Sequence, residues 1–145
     1  MIILDTNVLS ALMHTDPDAA VVEWLDDQPS ESVWTTSITV LAVRAGLELL
    51  DASQRRHRLE SAFTRLLDED LDGRVIPFDT AAAEAAGSLV ARRQRAGRSV
   101  EIRDAQIAGI TLARKATLAT RNVRHFNDLG IRLVDPWKPA RCRKR

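Results

Sequence analysis

At 145 residues, 45% hydrophobic and 28% charged, the chain has the length of one domain and the composition of a folded core, which excludes a disordered chain. Basic and acidic residues nearly balance, at 21 against 20, so the net charge of +1 does not announce a nucleic-acid binder. The single cysteine, Cys142, excludes an internal disulfide and suits a reducing, cytoplasmic compartment, and neither a signal peptide nor a membrane span of about eighteen apolar residues is expected.

Ile2-Ile3-Leu4 predicts a short buried strand that stops at Asp5. Thr6 and Asn7 are candidate caps for a helix from Asn7 to Met13. Asp16-Pro17 predicts the N-cap and first residue of a second helix, with Val21, Val22, Trp24 and Leu25 on its apolar face. Ser32 to Thr36 is rich in β-formers and predicts a second strand, with Ser37 capping a helix that runs to about Leu50. One long helix or a pair covers Gln54 to Leu71, where Leu59, Ala62, Phe63, Leu66 and Leu67 recur at steps of three and four. Arg74 to Phe78 predicts a third strand, Thr80 to Ala96 a helix ended by Gly97, and Ile102 to Lys115 a further helix. Thr117 to Thr120 and Ile131 to Val134 predict the last two strands, before Pro136. Short strands separated by helices predict an α/β fold, a parallel sheet with helices on both faces.

Charge is unevenly placed. Arg92, Arg93, Arg95 and Arg98 crowd one segment, and Arg141, Arg143, Lys144 and Arg145 form a basic tail from about residue 138. Asp68, Glu69, Asp70 and Asp72 make an acidic stretch. Solvated surface and, for the arginines, phosphate contact are both open readings.

Two aspartates stand out. Asp5 ends a buried strand, at the sheet edge where open α/β folds build their sites, and lies beside the free N–H groups of a helix start. Asp104 lies among Ile102, Ala105, Ile107, Ala108 and Ile110, where a carboxylate is costly unless paired or bound to metal. A salt bridge to Arg103 or a helix cap would satisfy Asp104. A pocket shared with Asp5 would instead suit Mg²⁺ or Mn²⁺, which prefer hard oxygen ligands. Thr120 and Asn122 leave a strand at the same edge and offer a hydroxyl and an amide oxygen, unless they serve only as turn residues.

These residues resemble the PIN-domain ribonucleases, in particular the VapC-type toxins of bacterial toxin–antitoxin pairs. The resemblance rests on Leu4-Asp5-Thr6-Asn7-Val8-Leu9-Ser10, on Ser37-Ile38-Thr39-Val40 with Arg44 and Gly46, and on Arg103-Asp104-Ala105-Gln106-Ile107-Ala108. It continues through Leu118-Ala119-Thr120-Arg121-Asn122-Val123-Arg124-His125-Phe126 and Gly130-Ile131 to Asp135-Pro136-Trp137. No one motif is specific, but their order and spacing together are. The resemblance implies a three-layer α/β/α sandwich over residues 1–145 and Mg²⁺-dependent endoribonuclease activity, with Mn²⁺ as a substitute. It places Asp5 and Asp104 on metal-binding positions and Asn122 where the family has an acid or an asparagine. It also implies an RNA substrate, a VapB-like antitoxin laid into a groove near the acids, and a homodimer.

One position departs from the family pattern. Three residues past Thr39, where the family usually has glutamate, stands Ala42. Glu48 is no substitute, because six helical residues carry it roughly 9 Å and about 240° away. Either the site is disarmed, leaving weak activity or an antitoxin-binding scaffold, or Glu101 partly compensates. Arg121 and Arg124 are the nearest candidates to hold RNA, and Arg44 to meet an antitoxin or solvent, while Trp34 and Trp137 are expected to pack. His125 reads as a loop histidine rather than a substrate contact. A haloacid-dehalogenase-type phosphatase would want an acid where Asn7 stands, and a phospho-receiver would use Asp79 but needs an acidic neighbour for Asp5.

Overall fold

The computed structural model describes residues 1–138, so Cys142 and the basic residues from Arg141 onward lie outside the described residues. Five strands, β1 (Ile2–Leu4), β2 (Val33–Thr36), β3 (Val75–Ile76), β4 (Thr117–Ala119) and β5 (Arg132–Val134), form one sheet in the order β3-β2-β1-β4-β5. Every neighbouring pair is parallel. The helices are α1 (Thr6–Met13), α2 (Ala19–Asp26), α3 (Ser37–Leu49), α4 (Gln54–Arg65), α5 (Thr80–Arg95), α6 (Ile102–Ala113) and α7 (Val123–Phe126). A π-helical turn, Leu66–Asp70, continues α4.

Strand alternation sorts the core into two layers. Leu4, Val33 and Ala119 face the side covered by Val8 and Leu9 of α1, Val21 of α2, Val43 and Leu47 of α3 and Phe63 of α4. Ile3 and Leu118 face the other side, against Ala82 and Leu89 of α5, Ile107 and Ile110 of α6 and Phe126 of α7. The α/β/α sandwich expected from the sequence is the one observed.

Some boundaries differ from expectation. Asp5 itself caps α1, because its side chain accepts from the Thr6 N–H. Helix α2 starts at Ala19, not Pro17: the Asp18 carboxylate accepts from the Ala20 N–H at 2.9 Å, nearer the apolar run. Thr36, still extended at the end of β2, caps α3 in place of Ser37. The Ser37 hydroxyl instead accepts from the Phe78 N–H at 3.2 Å, which draws the chain after Pro77 out of the sheet and leaves β3 shorter than predicted.

Helices α5 and α6 pack closely because Gly109 faces alanines. A Cβ at Gly109 would stand 2.5 Å from the Ala82 carbonyl oxygen and 2.8 Å from the Ala86 Cβ. Gly109→Ala is therefore expected to force the helices apart and cost about 1–3 kcal/mol, the usual range for overpacking. Urea unfolding checks this, and unchanged or greater stability would contradict the close approach.

The sheet order fixes where a site can form. From β1 the chain winds through β2 to β3 on one side, then returns to place β4 and β5 on the other. The winding reverses between β1 and β4, and the crevice at such a reversal is where open α/β sheets bind ligands. Asp5 leaves β1 at that crevice, its N–H donating to the Ala119 carbonyl at 3.0 Å. Thr120 leaves β4 beside it, its N–H donating to the Val134 carbonyl at 3.0 Å.

Candidate active site

Asp5 is only 5% exposed, and both its oxygens are engaged. Oδ1 accepts from the Thr6 N–H at 2.8 Å, and Oδ2 accepts from the Thr120 hydroxyl at 2.7 Å. The Asn7 amide donates to Asp5 Oδ2 and to Thr120 Oγ1, each at 3.4 Å. Asn7 is itself held by the Arg121 N–H, which donates to its Oδ1 at 3.2 Å. Burial pushes the Asp5 carboxyl above its ordinary range, against the opposing hydrogen bonds from Thr120 and Thr6 and the charge of His125.

Asp104 approaches from α6. Glu101 caps this helix, its Oε2 accepting from the Asp104 N–H at 3.1 Å. Asp104 is thus neither the cap nor an ion-pair partner of Arg103. Its Oδ2 instead meets His125 Nδ1 at 3.2 Å. Ala105 and Ile107 to Thr111 are buried, but the first residue of the helix, Ile102, is 63% exposed, so Asp104 is half-buried at a rim. Burial, then the negative charge of Glu101, raises its carboxyl, His125 opposes, and the charge of Asp5 raises it further. The two aspartates are close enough for the charge of Asp5 to reach Asp104.

Both line one cavity of about 680 Å³, together with Asn7, Ala42, Glu101 and Asn122. Asn122 makes no side-chain capping bond at the start of α7, which leaves its amide free to face a ligand. Thr120 is fully buried behind Asp5, its hydroxyl also accepting from the Asn122 N–H at 3.0 Å. Arg121 and Trp137 form one wall, with the guanidinium 5.0 Å from the centre of the indole. Trp137 packs on the core as expected but also reaches the site, whereas Trp34 packs against the other layer. Arg124 does not line the cavity.

Other candidates lie elsewhere. Glu48 is exposed on α3 and outside the cavity. Arg44 is exposed, with its guanidinium 5.7 Å from the centre of the Phe63 ring. Asp79 caps α5, accepting from the Ala82 N–H at 2.9 Å, and does not line the cavity that holds Asp5. The arginine cluster divides: Arg93 is drawn inward to Asp128, Ser99 and His125, while Arg92 and Arg95 stay exposed. Asn7 and His125 are the site residues that sequence reasoning undervalued. Their signal was position alone, two residues after Asp5 and three after Asn122.

The donors suit a hard divalent cation: two carboxylates with raised pKa and a free amide. Among the described residues no group of three His, Cys, Asp or Glu is placed to hold a metal. Two carboxylates still suffice for Mg²⁺, which keeps several waters and shares substrate phosphates.

Comparison with known proteins identifies the family and the fold. The PIN domain family model matches residues 2–131. The chain is 36% identical to VapC ribonuclease Y4jK of Sinorhizobium fredii, over 97% of this chain and 100% of that protein. It is 30% identical to Toxin FitB of Neisseria gonorrhoeae, over 94% of this chain and 99% of that one. The crystal structure of FitAcB from Neisseria gonorrhoeae superposes with a TM-score of 0.85 at 30% identity, covering 94% of this chain and 99% of the other. The chain belongs to the PIN-domain family.

Proposed function

We propose that this protein is the endoribonuclease toxin of a VapBC-type toxin–antitoxin pair, that it uses Mg²⁺ or Mn²⁺, and that Ala42 attenuates it. The observation that carries this reading is the meeting of Asp5 and Asp104, 99 positions apart, in one cavity at the sheet's winding reversal. Relatives named VapC ribonuclease and Toxin FitB support it.

Asp5 and Asp104 would hold the ion, with the Asn122 amide oxygen and waters completing its shell. When bound, the ion supplies Lewis acidity toward water and phosphate. The chain does the rest. Thr120, Thr6 and Asn7 fix the Asp5 carboxylate so that it need not reorganise during reaction. Arg121, backed by Trp137, offers a guanidinium to an RNA phosphate at the cavity wall. Water adds to the phosphorus and the ribose 3′-oxygen leaves, giving the 5′-phosphate and 3′-hydroxyl ends that the resemblance implies.

The antitoxin would take a second groove of about 740 Å³ between α1, α2 and α4. It is lined by apolar Leu12, Val22, Leu25 and Leu59 and by Arg55, Arg58 and Arg65 against Glu69 and Asp70, a lining with more basic than acidic groups that suits an amphipathic acidic segment. Leu41 and Leu49 of α3 and Ile102 of α6 are exposed and would contribute to a two-fold dimer. Among the described residues no helix is long and apolar enough to cross a membrane.

Ala42 in the cavity wall favours one second reading, an antitoxin-binding scaffold without catalysis. Cleavage of single-stranded RNA separates the two. The nuclease reading expects Mn²⁺-dependent cleavage that EDTA and Asp104→Asn each abolish. Cleavage that survives both would overturn it.

A further inference from the structure

We propose that Arg93 is a positioning residue for the Asp104 carboxylate, acting through His125. The inference rests on the reading of Asp104 as an acid of the metal site.

Arg93 lies in the last turn of α5, away from the cavity wall, with its side chain only 13% exposed. One terminal nitrogen, Nη2, donates to the His125 carbonyl at 3.0 Å and also to the Asp128 carboxylate. The other, Nη1, donates to the Ser99 carbonyl at 3.2 Å. Two of these contacts, to His125 and to Ser99, lead toward Asp104. The His125 ring meets Asp104 Oδ2 at 3.2 Å, so the backbone that Arg93 grips carries the imidazole that holds the carboxylate. Ser99 lies two residues before Glu101, whose carboxylate accepts from the Asp104 N–H at 3.1 Å. A single guanidinium therefore ties together the two segments that flank Asp104.

The residue type suits that task. Arginine presents a rigid planar fork of donors, whereas lysine offers a point charge on a flexible stem. Arg98 braces the same Asp128 carboxylate from outside. The fold does not need this contact to seat the segment, because Phe126 and Leu129 already bury it at 0% and 2% exposure. Among the described residues, Arg93 Nε is moreover buried without a partner, a loss tolerated for the sake of what the terminal nitrogens hold. What remains for Arg93 to set is the aim of the His125 ring.

The test uses the full chain and Arg93→Lys, with Asp128→Asn as a second variant should the first fail to fold. Three quantities are measured: thermal unfolding, the His125 ring resonances in metal-free protein, and the Mn²⁺ dissociation constant. Arg93→Lys is expected to keep its fold, to move the His125 resonances toward those of Asp104→Asn, and to weaken Mn²⁺ binding about 10- to 100-fold, the usual cost of losing an orienting partner. In a His125→Ala background it should cause no further loss. Unmoved His125 resonances would overturn the proposal, as would losses from Arg93→Lys and His125→Ala that multiply. A wild-type chain that binds no Mn²⁺ would sink the metal-site reading instead, and the resonances would still decide whether Arg93 sets the contact between His125 and Asp104.

Discussion

Ala42→Glu is expected to raise Mg²⁺-dependent RNA cleavage on the order of 100-fold. Ala42 stands in the wall of the cavity that holds Asp5 and Asp104, on the helix that Thr36 caps. A glutamate there would add a hard oxygen ligand where the chain now presents a methyl group. If that ligand stabilises transition-state charge by about 3 kcal/mol, the rate gains two powers of ten. Glu48 is exposed and outside the cavity, while Glu101 lines it with Oε2 engaged in capping α6, which leaves Oε1 as a partial substitute. A third carboxylate beside two whose pKa values are already raised should also make the metal-free variant less stable and its stabilisation by Mn²⁺ larger. Parallel cleavage assays of both chains check this. Equal activity would show that the missing acid is not needed, and no cleavage by either chain despite bound Mn²⁺ would favour the scaffold.

Asp5→Asn should move metal binding and metal-free stability in opposite directions. Mn²⁺ affinity should fall by more than the roughly 10- to 100-fold that loss of a supporting contact costs, because a ligand itself is removed. Stability without metal should rise at pH 7. The folded-state pKa of Asp5 is raised, chiefly by burial, above the ordinary 3.8. Its contribution to stability is therefore fully present below the unfolded pKa and lost as pH rises through the folded one. Burial weighs against the charged form of Asp5 in the folded wild type, a cost that the uncharged asparagine variant lacks. Each kcal/mol regained should lift the thermal midpoint by about 2–4 °C at this chain length. As pH rises from the ordinary carboxyl range through the raised folded pKa, the wild type should lose stability relative to the variant. A lower midpoint for metal-free Asp5→Asn at pH 7 would contradict the assignment of burial as the dominant influence on this group.

Local pattern carried the elements. Three apolar residues and an acid mark β1 and its end, and the alternation of short β-rich and longer helical segments marks the layered fold. Boundaries moved where two capping residues competed, as with Asp18 over Asp16 and Thr36 over Ser37. The site was legible only in halves. Asp5 could be placed at a sheet edge by its neighbours alone, but its partner Thr120 lies 115 residues away. Nothing local states that β1 pairs with β4, so only the family resemblance joined the halves. His125 and Arg93 were harder still. One read as a loop histidine and the other as part of a charge cluster, because each acts through a long-range contact, to Asp104 and to the His125 carbonyl. Thr120 was legible as a polar residue at the right edge, but its burial behind Asp5 makes it a brace for that carboxylate rather than part of the wall.

Anomalous diffraction from crystals soaked in Mn²⁺ would locate the ion itself. It is expected within bonding reach of carboxylate oxygens from both Asp5 and Asp104, and absent from crystals of Asp5→Asn. An ion bound to only one of these aspartates, or a well-ordered cavity empty at saturating Mn²⁺, would contradict the shared site.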